Sequence, residues 1–286
     1  MTRVRSWMLG VVVVVVIVLA MGLFVLVNGG RLPWTDTGSC DLPDSVAAGP
    51  ASDASGIQVV EQGFTQSADY RLSIGAVLSN TGKTVAYRTR VSFQAFDPTQ
   101  RPFDAPTVVE VPVLLPGQRI GIGQDTQMAA GTRVASVRVV PASTHHLAAG
   151  ALGSYRPVTA TRPRTSHPDP LVAAHVDIHY TDTSTNCGPL LDGAAAVVYR
   201  DAHGTIVGGA VDTPGSLIVY RDGHGVTAAG EFHPPASGPC EPGTRDMWLT
   251  PNGAQPAAAD PARTAVYPYC GVPSVVPVSG SPTLSP

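Results

Sequence analysis

The stretch TVAYRTRVSFQAFD, residues 84–97, constrains the fold most. Val85, Tyr87, Val91, Phe93 and Ala95 fall on one side of an extended chain, and Arg88, Arg90, Ser92 and Gln94 on the other. Side chains of a strand alternate between faces, so this pattern demands a sheet with one dry face and a second layer to cover it. The neighbouring segments supply further strands. RLSIGAVLSN precedes it, ended by the turn NTGK, where Gly82 is free to take positive φ; TVVEVPVLL, QRIGI and RVASVRVV follow, separated by PG and AAGT. Pro112 inside the first of these marks an edge strand, because proline donates nothing to a ladder. With 27 prolines and 30 glycines the chain has little room for long helices, and short strands with frequent turns predict an all-β sandwich.

The second half repeats the plan. AHVDIHYTD, AAAVVYRDAHGTIVGG, GSLIVYRDGHGVTAAGEF, GTRDMWLT and RTAVYPYC read as strands, with hairpins at RDAHGT and through Asp222-Gly223. The tripeptide Gly-Thr-Arg precedes a late strand in both halves, at residues 131–133 and 243–245. Two tandem domains are therefore expected, over residues 56–141 and 171–272. Residues 142–170 read as a linker or an extended crossing, since four prolines close together exclude a long helix there. Residues 28–55 lack periodicity and read as a flexible stalk, and residues 273–286 as a disordered tail.

Residues 7–27 form a run without a charge, long enough as a helix to cross ~30 Å of hydrocarbon. The run exceeds the ~7–15 residues of a secretory leader's apolar region. Thr37 stands where a lipobox needs an aliphatic residue before Cys40. Arg3 and Arg5 precede the span, so residues 1–6 are expected in the cytoplasm and the rest outside. The reading is a signal anchor of a single-pass membrane protein. Seventeen arginines against the single lysine, Lys83, match the bias of high-GC bacterial genomes. Outside the cytoplasm an even number of cysteines points to disulfides, and four allow three pairings.

GAVLSNTGKTVAYRTRVSFQAFDP resembles the core of the FxLyD domain, an immunoglobulin-like module of bacterial surface proteins. Phe93, Ala95, Phe96 and Asp97 carry the signature, with Ala95 for Leu and Phe96 for Tyr; Gly75, Val77, Asn80 and residues 115–117 match its flanks. The second half matches weakly: Tyr199 stands at the signature aromatic, but Arg200 replaces the expected Asp. The resemblance implies that the two tandem domains, placed after the one transmembrane helix read at residues 7–27, are immunoglobulin-like β-sandwiches, and it brings no catalytic residues. On an immunoglobulin-like plan Cys187 and Cys240 lie in connections that emerge at one end, which implies a Cys187–Cys240 disulfide. Cys40 and Cys270 are then left to each other, with an intermolecular bond through Cys40 as the alternative.

Motifs for chemistry are sparse. TGKT ends like a phosphate-binding loop, but Val77 stands where its first glycine belongs and a strand follows instead of a helix. Neither G-x-S-x-G nor H-E-x-x-H occurs. HVDIH places His175, Asp177 and His179 on one side of a strand, a pattern suited to Zn²⁺ or Cu²⁺. The outer pair lies ~13 Å apart, however, too far for one ion, so the motif reads as a wet face. No metal or other cofactor is expected. A net charge of −3 without basic clusters leaves no footprint for nucleic acid. The expectation is a non-enzymatic extracytoplasmic binding or scaffolding protein of a bacterial cell envelope. It would be held to the cytoplasmic membrane by residues 7–27 and engage an envelope protein or cell-wall component. A metal-binding protein or a hydrolase is the alternative.

Overall fold

The computed structural model describes residues 40–103, 105–166, 177–212, 221–222, 225–226, 239–249, 251 and 255–274. The chain divides into residues Met1–Cys40, of which Cys40 alone is described, and a compact unit, Asp41–Pro286. The expected span at residues 7–27 lies outside the described residues. Among those described, no helix is long and apolar enough to cross a membrane.

The compact unit is all-β. Its strands are β1 (Ile57–Gln66), β2 (Arg71–Asn80), β3 (Val85–Phe96), β4 (Thr107–Leu114), β5 (Arg119–Gln127) and β6 (Ser136–Leu147) in the first half. The second half has β7 (Thr159–Ser166), β8 (Asp177–Ser184), β9 (Leu191–Arg200), β10 (Ile206–Val211), β11 (Arg221–Asp222), β12 (Gly225–Val226), β13 (Gly243–Leu249) and β14 (Ala265–Gly271). Four three-stranded antiparallel sheets result, ordered β4-β3-β6, β1-β2-β5, β10-β9-β14 and β13-β8-β7, with β11 and β12 as a hairpin. The two halves share one topology. Leaving the hairpin aside, the first, second and fifth strands of each make one sheet, and the fourth, third and sixth the other. Proline obeys its ladder rule throughout. Pro112, Pro141, Pro163 and Pro268 all lie in edge strands, and the central strands β2, β3, β8 and β9 contain none.

The sheets stack as layers. Leu72, Ile74, Ala76 and Leu78 of β2 face Val91, Phe93 and Val111 in the first core. Ile178, Tyr180, Val197, Tyr199, Met247 and Leu249 build the equivalent core of the second half. Between the halves runs a seam in which a row of glycines lets two sheets approach backbone to backbone. Gly63, Gly75 and Gly123 stand opposite one another across β1, β2 and β5, and β10 lies against this row. A Cβ on Gly75 would sit 2.1 Å from the Gly208 carbonyl oxygen. Ser73 Oγ donates to the Gly209 carbonyl and accepts from its N–H, both at 2.9 Å. Val77, Val198 and Ile206 close the seam's apolar part, and the Tyr269 hydroxyl donates to Gly121 O at 2.7 Å.

The segments read as linker and stalk carry structure of their own. Over residues 142–166 the chain is the extended crossing rather than a free linker: β6 runs to Leu147, Leu152, Tyr155 and Val158 are buried, and β7 is the first strand of the second half. The prolines that exclude a helix do not exclude an edge strand, and β7 slips register between Thr161 and Arg164, around Pro163. Residues 41–55, expected as stalk, pack on the body. Val46 is buried and donates to Pro273 O at 2.7 Å, while Ser52 exchanges both backbone bonds with Thr144. Isolated bridges of this kind have no period to reveal them. Gly82 keeps negative φ; positive φ falls instead on Gly56 and Gly117, either side of the same turn.

Candidate interaction surface

The outward face of β4-β3-β6 follows from the alternation of β3. Arg90, Ser92 and Gln94 point away from the core; Ser92 stands opposite both Val108 of β4 and Val140 of β6, and Arg90 stands opposite Glu110. Gln94 pairs in register with Arg138. Arg88 takes a positive φ where the β3–β6 register slips, and its guanidinium meets Glu110 at 3.2 Å while lying over the Tyr87 ring. Arg138 lies 5.2 Å over the Phe96 ring, an attraction that holds the guanidinium near the sheet. Arg90 and Arg138 have no acidic partner among the described residues.

Arg138 also lines a shallow trough of about 290 Å³ between the edges of β6 and β1, with Val59, Val60, Glu61, Gln62 and Val139. A bulge between Val59 and Glu61 shifts the register there. Gln62 Oε1 accepts the Val139 N–H at 3.2 Å. Glu61 ion-pairs with Arg200 and Arg119, and the Arg200 hydrogen bond foremost holds its carboxyl below the usual carboxylate range. Four large apolar side chains are exposed among the described residues: Val60 (40%), Val108 (43%), Val140 (42%) and Leu191 (45%). The first three lie on this face and its trough. Of this surface the sequence marks the trough alone, by the doubled valine at positions 59 and 60, where strict alternation fails.

The other sequence candidates fall elsewhere. His175 lies outside the described residues. Asp177 and His179 are half-buried on one face of β8, with Ile178 and Tyr180 buried on the other. The His179 ring packs edge-on against Trp248, its register partner on β13. Among the described residues no three potential ligands converge. Asp182, next on β8's buried side, is held by two bonds from Arg245.

The cysteines overturn the expected pairing. Cys240 is bonded to Cys270, so neither Cys187–Cys240 nor Cys40–Cys270 forms; Cys40 and Cys187 are disulfide-bonded as well. The reason is local. Cys240 pairs through its backbone with Leu190, just ahead of β9, and β14, which carries Cys270, runs beside β9. The two sulfurs meet inside a cluster with Val46, Tyr87, Tyr155 and Val272.

The residues that carried the FxLyD resemblance act structurally here. Asp97 Oδ1 accepts the N–H groups of Thr99 and Arg101, and Asn80 Nδ2 donates to Thr84 O and Leu114 O. Arg200 donates to Glu61 across the seam and to Gly204 O. No family model, curated protein or solved structure matches the chain.

Proposed function

We propose that the protein is a non-enzymatic binding or scaffolding protein of a bacterial cell envelope. Residues 7–27 anchor it in the cytoplasmic membrane and the β-unit stands outside. Each half is an immunoglobulin-like sandwich, a reading supported by the repeated strand order. The observation that carries the function is the gathering of Val60, Val108 and Val140 on one outer face and its trough. Exposed apolar side chains cost solubility, and their collection on one face rather than singly marks a protein-binding surface. Extracytoplasmic placement rests on the apolar run, on Arg3 and Arg5, and on the bonded cysteines.

Two measurements test this. A reporter fused after Pro286 is active only outside the cytoplasm, and the mature chain keeps residues 7–27; a mature N-terminus between positions 27 and 40 overturns the anchor. A photo-crosslinking residue at position 140 gives a discrete adduct in the native envelope, while one at Thr181, on the opposite outer sheet, does not. Equal adducts from both positions, or none from either, remove the surface.

A further inference from the structure

We infer that the partner at this surface is an acidic protein segment that sets carboxylates on either side of an apolar centre. The inference rests on the binding reading above and adds the chemistry of the partner. The chain carries a net charge of −3. The outer face of β4-β3-β6 runs against that balance. Arg88 and Glu110 cancel each other, and Arg90 and Arg138 remain without acidic partners among the described residues. Between the two lie Ser92 and its neighbours Val108 and Val140. The sheet fixes the spacing. Arg90 is four residues from Gln94, the partner of Arg138, so the two cations lie roughly 14 Å apart by strand rise and strand spacing.

Magnitudes divide the labour. An exposed ion pair contributes about 0.2–1 kcal/mol, so two guanidiniums alone hold nothing firmly. Covering the exposed valines supplies the attraction, at about 25 cal/mol per Å² of apolar surface. The arginines select the partner: their planar forks take carboxylates in bidentate fashion and penalise a basic competitor. The face measures roughly 14 by 26 Å, about 370 Å² for three strands of eight residues. With the trough added it remains below the ~800 Å² per side of a standard interface, so the complex belongs to the weak, transient class.

The test uses the full chain in nanodiscs of neutral lipid and a displayed library of random peptides. Selected peptides are expected to carry Asp or Glu on both sides of an aliphatic or aromatic residue. A synthetic copy of the dominant peptide should lose about tenfold or more in affinity to the variant Arg90→Glu with Arg138→Glu. All four positions tested are exposed, so unchanged thermal unfolding checks that each variant keeps its fold. Selected peptides without an acidic excess, or acidic peptides indifferent to the double charge reversal, overturn the inference. If binding then still falls with Val108→Ser plus Val140→Ser, the surface stands and only the acidic partner is lost. If neither pair of substitutions matters, the surface reading fails too. Vesicles of anionic lipid form the last arm: capture through the same arginines, without peptide capture, assigns the face to membrane and overturns the inference.

Discussion

At Gly75 the absence of a side chain is a packing requirement. Its missing Cβ would strike the Gly208 carbonyl, backbone that cannot swing aside. Gly75→Ala is expected to cost about 3 kcal/mol, at the high end of overpacking, and to lower Tm by roughly 10 °C. Gly150→Ala, where nothing lies within 4 Å of the added carbon, should change stability by about 0.5 kcal/mol at most. Equal unfolding midpoints for the two variants would deny the close approach. Asp125 sits beside Ser73 across the β2–β5 pair, and burial there raises its pKa from 3.8 to about 6, against the pull of its own backbone N–H and of Arg71. The raised value fixes the sign. Between about pH 4 and 6 the unfolded chain has ionised while the folded chain has not, so this group's contribution to stability falls as pH rises and stays low above pH 6. Asp125→Asn should therefore stabilise the protein by roughly 2 kcal/mol at pH 7.5 and by little at pH 4. Urea titrations of both proteins at the two pH values check this, and a difference independent of pH would refute it. Sequence alone marks Gly75 as a strand glycine. It cannot say that a second sheet lies against it, because the opposing Gly208 is more than a hundred residues away.

Among the elements, the strands and their edges were legible, since alternation and proline placement are local signals. Pro112 does mark an edge, and RDAHGT does close a hairpin, with Asp201 Oδ1 accepting the N–H groups of His203 and Thr205. The face of β3 that forms the candidate surface was legible as polar. Its apolar fringe was not, because Val108 and Val140 come from two other strands whose register no local pattern fixes. Residues 41–55 carry no such signal: bridges at Val46 and Ser52, bonds from Ser154 and His145 to the carbonyls of Asp41 and Gly49, and the packing of Leu42, Val46, Ala48 and Ala54 hold them, and none of these has a period. Hydrogen exchange separates a docked segment from a stalk. The amides of Val46 and Ser52 should be protected by at least about 1 kcal/mol of opening energy, where a free coil has essentially none. Exchange at coil rates would return the segment to a stalk. The bond that closes the loop from Cys240 to Cys270 was not legible either, because it depends on Cys240 pairing with Leu190, far earlier in the chain. Closing that loop restrains the unfolded chain by about 4 kcal/mol in the chain-entropy model. A non-reducing digest should yield the linked Cys240–Cys270 peptide, and one joining Cys187 to Cys240 would contradict the structure.

For the whole molecule the seam decides whether two similar halves behave as two domains or one. Tandem domains joined by a linker unfold separately, because few contacts cross between them. Here β2 has a buried face toward each half: Leu72, Ile74, Ala76 and Leu78 belong to the first core, while Ser73, Gly75 and Val77 meet the second half. Ala196 and Tyr269, from strands of the second half, are buried in the first core. The cluster around the Cys240–Cys270 bond draws on residues 46, 85, 87, 155 and 190 together, and the Tyr87 hydroxyl donates to Val272 O at 2.7 Å. Separating the halves would leave a glycine row facing water and expose Val77, Val198 and Ile206 together. The expected result is one cooperative transition in urea, followed by hydrogen exchange of the full chain in nanodiscs, with β3 and β8 losing protection at a common midpoint. Gly75→Val, which disturbs only the seam, should move both strands' midpoints down together. A β8 that keeps its protection after β3 has lost it would show that the seam is an ordinary interdomain contact, and that each half folds alone.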